Sequence, residues 1–340
     1  MPLDTTIMRY TLSPRDVAVV RSVIDELDGL VEPPTDPAFY DRHWDAYLRL
    51  PTGLRVFLER FRRDEPAAGC LVQGFPTPDE EVDATPDHWE SALASRTGSR
   101  QEIFMALCGL ALGDPFTWST LQTGAMIQNI LPIRGEEQRQ SGHSSDVFLE
   151  FHTEDGFHPA RCDYLLLFGM RNHDAVPTYL ASVRDVRLSD EDRAVLSRPR
   201  FLIRPDDEHV RQLRQRHPDH PALGRATAMR EAPEPVSVLF GAELHPYLRI
   251  DRPFMRCVDD DPVAQRAVEA LMTELRRVSR PVVIEPGSLL VVDNYLAVHG
   301  RKAFRSRYDG TDRWLKRMIV SRDLRTTAVR GHAAGGRVLF

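Results

Sequence analysis

The stretch Glu150-Phe151-His152-Thr153-Glu154-Asp155 sets an imidazole and a carboxylate two positions apart, at the end of a run in which Val147, Leu149 and Phe151 alternate with Phe148, Glu150 and His152. Alternation with a period of two marks a strand with one face toward a core or cavity. On such a strand residues i and i+2 share a face, so His152 and Glu154 are expected to point at one spot while Phe151 and Thr153 point away. A third donor lies far downstream. His299 follows the turn Pro286-Gly287, the apolar run Leu289-Leu290-Val291-Val292 and a second turn signal at Asp293-Asn294. That order places it at a strand end near a cavity mouth. His-X-Glu by itself also suits a solvated or merely hydrogen-bonded pair. Two histidines and one carboxylate on one face of an octahedron, however, leave three positions open, the ligand pattern of non-haem Fe(II) sites.

Beyond His299, Trp314 to Val320 reads as a strand with Arg313, Leu315, Arg317 and Ile319 on one face. Two guanidiniums inside a sheet-built core are costly unless each meets an anion. A basic surface strand is the bland alternative. With the metal set nearby, carboxylate recognition explains them better, because a guanidinium fork binds a carboxylate bidentately.

The chain has 340 residues, 42% of them hydrophobic, enough for a large core, and no repeat or low-complexity tract divides it. A single unit over 1–340 is the simplest organisation. It would comprise a mainly helical part over 1–100, a strand-rich core over 101–325 with a lid segment at about 206–233, and a tail over 326–340 that is expected to be partly disordered. Ser13-Pro14 starts a helix with Val17, Val20, Ile24 and Leu27 as its stripe. More helix covers 41–63, 77–100 is a connector with a short helix near Trp89, and Asp259-Asp260-Asp261 starts a helix over 262–278. The lid is expected to be a mobile or surface loop, so its Arg216-His217-Pro218-Asp219-His220 is set aside as a metal site. His158 is taken as a non-ligand on a loop at the cavity edge, and His143, His173 and His332 as solvent-exposed.

The net charge of −6 with scattered Lys and Arg gives no footprint for nucleic acid. The four cysteines are widely spaced, without Cys-X-X-Cys, which argues against a zinc site or a disulfide framework. No stretch approaches a membrane span and no secretory pattern opens the chain, so a cytoplasmic location is expected.

In His152-Thr153-Glu154-Asp155, in Arg161-Cys162-Asp163-Tyr164, in the run from Phe201 to Asp207, and from Ala297-Val298-His299-Gly300-Arg301 through Arg317, the chain resembles a known family. This is the clavaminate-synthase-like branch of the Fe(II)/2-oxoglutarate-dependent oxygenases. Within it, the similarity is to the hydroxylases of free arginine, asparagine and citrulline that serve peptide-antibiotic pathways. The similarity runs from about Leu12 to Arg325. It implies an α+β fold with a double-stranded β-helix (jelly-roll) core and flanking helices. It also implies His152, Glu154 and His299 as Fe(II) ligands, with 2-oxoglutarate and dioxygen as co-substrates. Arg313 would bind the distal carboxylate of 2-oxoglutarate with Thr178 as its hydroxyl partner. Arg317 would meet the α-carboxylate of a free amino acid and Glu154 its α-amino group. Because Glu154 is present, hydroxylation is favoured over halogenation.

Departures from the family pattern bear on the substrate. Where arginine-hydroxylating relatives carry two aspartates at i and i+2, this chain keeps Asp251 and has Pro253. A glutamine of those relatives aligns with Leu121, with Gln122 one position away. One anion fewer lowers the preference for a full positive charge. The expectation is therefore hydroxylation of a β- or γ-carbon of a long polar amino acid, citrulline ahead of arginine, with lysine and asparagine as alternatives. Desaturation or ring formation by the same centre, and a jelly-roll binding protein without turnover, remain open, as does the oligomeric state.

Overall fold

The computed structural model describes residues 6–29, 32–95, 97–216, 218–328 and 336–339. The strands used below are β1 (Ile7–Thr11), β2 (Gly69–Gln73), β3 (Asp114–Trp118), β4 (Gln128–Ile130), β5 (Leu149–His152), β6 (Tyr164–Arg171), β7 (Pro177–Ser182), β8 (Arg280–Val283), β9 (Leu289–Asp293), β10 (Ala297–Arg301), β11 (Trp314–Ser321) and β12 (Val338–Leu339). The helices are α1 (Pro14–Leu27), α2 (Thr52–Asp64), α3 (Ser99–Leu112), α4 (Asp207–Arg216), α5 (Pro221–Glu231) and α6 (Pro262–Val278). An eight-stranded sheet runs in the order β1-β2-β9-β6-β11-β3-β12, with β4 also pairing with β11, and a four-stranded sheet runs β8-β7-β10-β5.

Side-chain alternation builds three apolar layers around these sheets. Leu71, Leu165, Leu167, Leu290, Val292, Leu315 and Ile319 of the large sheet meet Leu180 and Val282 of the small one. The opposite face of the large sheet carries Tyr164, Leu166, Phe168, Val291 and Met318, which pack against Val20 and Ile24 of α1, Leu54 and Phe61 of α2 and Phe104 and Leu107 of α3. The outer face of the small sheet, with Phe151, Ala181 and Val298, is covered by Val268, Leu271 and Leu275 of α6. Covering on both faces is why every residue of β6 and of β11 is buried. Each fully buried Leu or Phe in these layers contributes about 1.5–3 kcal/mol of transfer free energy. The helix signals hold: Ser13 and Asp16 form a capping box at α1, and Asp261 accepts hydrogen bonds from Val263 and Ala264 at the start of α6.

Three expectations are corrected. The helical part does not end at residue 100, because α3 crosses that point; Ile103, Phe104, Met105, Ala106 and Leu107 are all buried, so the helix has no amphipathic period to betray it. The first hundred residues also supply two strands of the large sheet, β1 and β2. The lid segment is not a loop but the helical pair α4 and α5, and Pro221, read as a loop residue, occupies the first turn of α5 behind a His220 cap. In the tail, β12 pairs in parallel with β3; Gly331, His332 and Gly335 lie outside the described residues, as does His217. Among the described residues no helix is long and apolar enough to cross a membrane.

Candidate active site

The antiparallel pair β5 and β10 brings His152 and His299 directly opposite each other, with ring centroids 4.2 Å apart. Glu154 arrives differently from the expectation. β5 ends at His152, and the chain turns through Asp155 in a left-handed conformation (φ 51°). The turn is fixed from two sides: Thr153 N donates to the Ile250 carbonyl at 2.7 Å, and the Asn294 amide clamps Glu154, accepting from its N–H at 2.6 Å and donating to its carbonyl at 3.0 Å. His299 Nε2 then lies 3.4 Å from Glu154 Oε2. Donor atoms of His152, Glu154 and His299 all fall within 4.8 Å of one another, a group able to hold a metal ion.

The protonation states suit that role. His152 Nδ1 lies 2.8 Å from the Glu150 carbonyl, which can only accept, so the proton sits on Nδ1 and the Nε2 lone pair is free. Burial, reinforced by His299, pushes the His152 imidazole down to about 4, leaving it neutral at neutral pH as a ligand must be. Burial pulls the Glu154 carboxyl upward, but Arg317 and then His299 outweigh it and hold it well below the usual carboxylate range.

Arg317 projects from β11 into the same pocket and donates to Glu154 Oε1 at 2.6 Å and to the Gln128 side chain. A guanidinium has five N–H donors, so these two bonds leave others for a ligand. Asp155 stands 3.6 Å from Arg317 and accepts from Trp118 Nε1 at 2.7 Å, with His209 Nε2 of α4 at 3.2 Å.

At one end of the pocket, Arg313 Nη2 donates to Thr178 Oγ1 at 3.3 Å, while its Nε is buried with no hydrogen-bond partner. Burial, and then the neighbouring Arg301, lowers the Arg313 guanidinium to about 9. A buried cation so poorly compensated fits an incoming carboxylate. Asp251, bridged by its backbone to His152, lines the same pocket with Asp206 and Pro253. Burial, then Asp206, Glu154 and Asp155, pushes the Asp251 carboxyl well above its ordinary range. Asp206 is raised too, by burial, although it accepts from His209 N at 3.1 Å at the start of α4.

All the residues expected at the site line this one pocket, Leu121 and Gln122 included, but Gln122 is not available as supposed. Its amide is committed in both directions to the backbone of Asn129, at 2.8 and 2.9 Å. Gln128 is the amide that reaches Arg317. His158 is a non-ligand, as expected, yet it is buried against Trp118 rather than at an open edge. His143 is not exposed; it is buried with Nδ1 3.0 Å from the Leu131 carbonyl. His173 lies near the surface, 3.5 Å from Asp79. Asp155, Gln128, Asp206, His209 and Arg301 went unassigned in the sequence. Arg301 carried a usable signal, since it sits two residues beyond His299 on one strand and so shares its face.

A mononuclear oxygenase centre is the natural reading of such a donor set, and similarity to known proteins makes the class definite. The family model for the taurine catabolism dioxygenase TauD, TfdA family matches residues 133–319. The chain is 38% identical over 336 residues to enduracididine beta-hydroxylase of Streptomyces hygroscopicus, covering 96% of this chain and 97% of that one. It is 34% identical over 341 residues to L-ornithine/L-arginine 3-hydroxylase of Catenulispora acidiphila, covering 98% and 99%. Among solved structures, the non-heme iron oxygenase OrfP in complex with Fe, succinate and (3S)-hydroxy-L-Arg superposes with a TM-score of 0.90 at 34% identity, covering 98% of this chain and 100% of that one. OrfP has also been solved with Fe and alpha-ketoglutaric acid. The chain belongs to the TauD/TfdA dioxygenase family. It is a non-haem iron, 2-oxoglutarate-dependent oxygenase of the amino-acid-hydroxylating kind.

Proposed function

We propose that this protein hydroxylates a methylene near the α-carbon of a free L-amino acid whose side chain ends in a cation, as in arginine or ornithine. The observation that carries the reading is the pair of carboxylates, buried Asp251 and half-buried Asp206, in the same pocket as the metal-capable group. Asp206 raises the Asp251 carboxyl rather than satisfying it, so this part of the pocket lacks a cation that a charged side-chain end would supply. Asp206, brought in by the start of α4, thus supplies the second anion that Pro253 withholds. The relatives named for arginine, ornithine and enduracididine substrates support it.

The two sheets read as the double-stranded β-helix of the family, with His152, Glu154 and His299 as the residues that would hold iron. Bound iron with 2-oxoglutarate and dioxygen supplies the oxidising equivalent that converts C–H to C–OH, releasing succinate and carbon dioxide. The chain's own residues bind and orient. Arg313 and Thr178 take the distal carboxylate of 2-oxoglutarate. Arg317 neutralises Glu154 and offers its remaining donors to the substrate α-carboxylate, with Glu154 beside the α-amino group. Asp251 and Asp206 hold the far end, so that an extended amino acid is fixed at both termini and one methylene is presented. Helix α4 covers the pocket and excludes water.

A second reading has an observation of its own. Pro253 lines the pocket where an acid would favour a full charge, and a protonated Asp251 could donate to a neutral ureido group, which suits citrulline. The test is anaerobic reconstitution with Fe(II) and 2-oxoglutarate, admission of air, and a panel of arginine, ornithine, lysine, asparagine and citrulline, scored by succinate and by a product heavier by one oxygen. Product from arginine or ornithine at rates above citrulline is expected. Citrulline turned over faster than either cation would overturn the cationic reading, and no succinate with any substrate would overturn the enzyme assignment.

A further inference from the structure

The co-substrate end of the pocket holds a second buried guanidinium besides Arg313. Arg301 lies two residues beyond His299 on β10, and its register partner on β7 is Thr178, the same threonine that Arg313 touches. Side chains of i and i+2, and of directly paired residues, stand on one face. Gly300 between them confirms which face: a Cβ there would lie 2.7 Å from the Leu149 carbonyl and 3.2 Å from Phe151, on the side that packs against α6. Arg301 therefore points into the space between the sheets with His299.

Its surroundings do not satisfy its charge. Nη2 donates to Ser144 Oγ at 2.8 Å and the guanidinium lies 4.8 Å from the Phe304 ring centre, but Nε and Nη1 are buried without a hydrogen-bond partner. Arg301 and Arg313 are 3% and 8% exposed, and among the described residues neither forms an ion pair. Two neighbouring buried cations with only neutral hydroxyls and one aromatic ring for company oppose folding, unless an anion binds beside them. A fold that merely needed a hydrogen bond to Ser144 would not need a full charge to make it.

We propose that Arg301 is a specificity residue for the co-substrate: with Arg313 and Thr178 it forms a two-guanidinium clamp for the distal carboxylate of 2-oxoglutarate. The clamp discriminates a dicarboxylic 2-oxo acid from a monocarboxylic one. The proposal rests on the placement of 2-oxoglutarate at Arg313 and Thr178 given above. Through Ser144 the same side chain also fastens the pocket-lining stretch 140–143, so binding and local order must be told apart.

The experiment is anaerobic calorimetric titration of the Fe(II)-loaded protein with 2-oxoglutarate and, separately, with pyruvate, which carries the chelating 2-oxo acid but no distal carboxylate. For Arg301→Gln the 2-oxoglutarate dissociation constant is expected to rise roughly 10- to 100-fold, the loss of one charge-assisted bond, while that for pyruvate stays within about twofold. Arg301→Lys is expected to recover most of the loss, and Ser144→Ala to leave both constants unchanged. Equal weakening of both ligands by Arg301→Gln, or its reproduction by Ser144→Ala, would show that Arg301 only orders the pocket wall, and unchanged 2-oxoglutarate binding would overturn the proposal outright. Arg313→Gln separates the two levels. If it spares 2-oxoglutarate binding, the placement of the co-substrate is wrong; if it abolishes binding while Arg301→Gln does nothing, the clamp alone is refuted.

Discussion

Replacing Asp206 by Asn tests the cationic reading at the residue on which it depends. The side chain lines the same pocket as Asp251 and accepts a hydrogen bond from His209 N at 3.1 Å. Asn keeps that acceptor and the start of α4, so the variant removes a charge with little change of shape. A hydrogen bond to a charged group is worth about 1.5–3 kcal/mol, and each ~1.4 kcal/mol is tenfold. The kcat/KM for arginine or ornithine is therefore expected to fall roughly 10- to 100-fold. Citrulline, whose ureido group is neutral, is expected to change less than about threefold, because Asn can still hydrogen-bond to it. Binding of 2-oxoglutarate, at the Arg313 end, should not move. The ligand-free variant should also melt higher than the parent, since Asp206 is one of the charges that push Asp251 upward and a site built for a cation destabilises the empty fold. Competition assays with paired substrates, read by product mass, give the ratio directly. Equal losses on charged and neutral substrates would refute the reasoning, because they would make Asp206 a structural residue of the lid.

Three further outcomes follow from the geometry. Asn294→Ala frees the Glu154 backbone from its two-sided clamp; Fe(II) affinity, measured by chelator competition, should drop about 10- to 100-fold, and undiminished affinity would mean that the turn at Asp155 holds Glu154 unaided. Lys316 of β11 is 1% exposed and donates to Glu102 of α3 at 2.8 Å. Lys316→Met alone should cost about 3–5 kcal/mol in denaturant unfolding, whereas Lys316→Met with Glu102→Leu should be near neutral; comparable losses in both would contradict the buried-pair argument. Burial lifts Asp293 to about 7 even though it accepts from the N–H groups of Tyr295 and Leu296. Its unfolded value is about 3.9, so the native state binds the extra proton between the two values. Stability from this group is full below about pH 4 and falls as pH rises through 7, by at most about 4 kcal/mol. Asp293→Asn should flatten the dependence of melting temperature on pH in that window, and an unchanged slope would remove Asp293 as its source.

The sequence disclosed those parts of the site that follow from period-two geometry. His152, His299 and the shared face of Arg313, Leu315 and Arg317 are strand facts, and i/i+2 spacing reports them without a partner strand. Glu154 was named for a reason that only half applies: it reaches His299 through a left-handed turn pinned by Asn294 and Ile250, residues whose nearness to it has no local signature. The helical segments divide in the same way. α1 and α6 announce themselves by a cap and an apolar stripe, whereas α3 is buried all round and shows no stripe, and α4 is mostly polar with only Val210 and Leu213 to mark its inner face. That second failure matters for the proposed function, because Asp206 sits immediately before α4. Reading Pro253 as a lost anion assumed that the substrate's charge must be met from the segment that holds Asp251. A pocket sums charge over space rather than over sequence, and in the proposed reading Asp206 with Asp251 would restore the count from two distant segments. Specificity in such a fold can therefore drift along one segment while being kept by another. For that reason the Asp206 variant, rather than restoration of an acid at Pro253, is the decisive perturbation: adding Pro253→Asp to a pocket that already holds two raised carboxylates should improve arginine turnover little and destabilise the empty protein further.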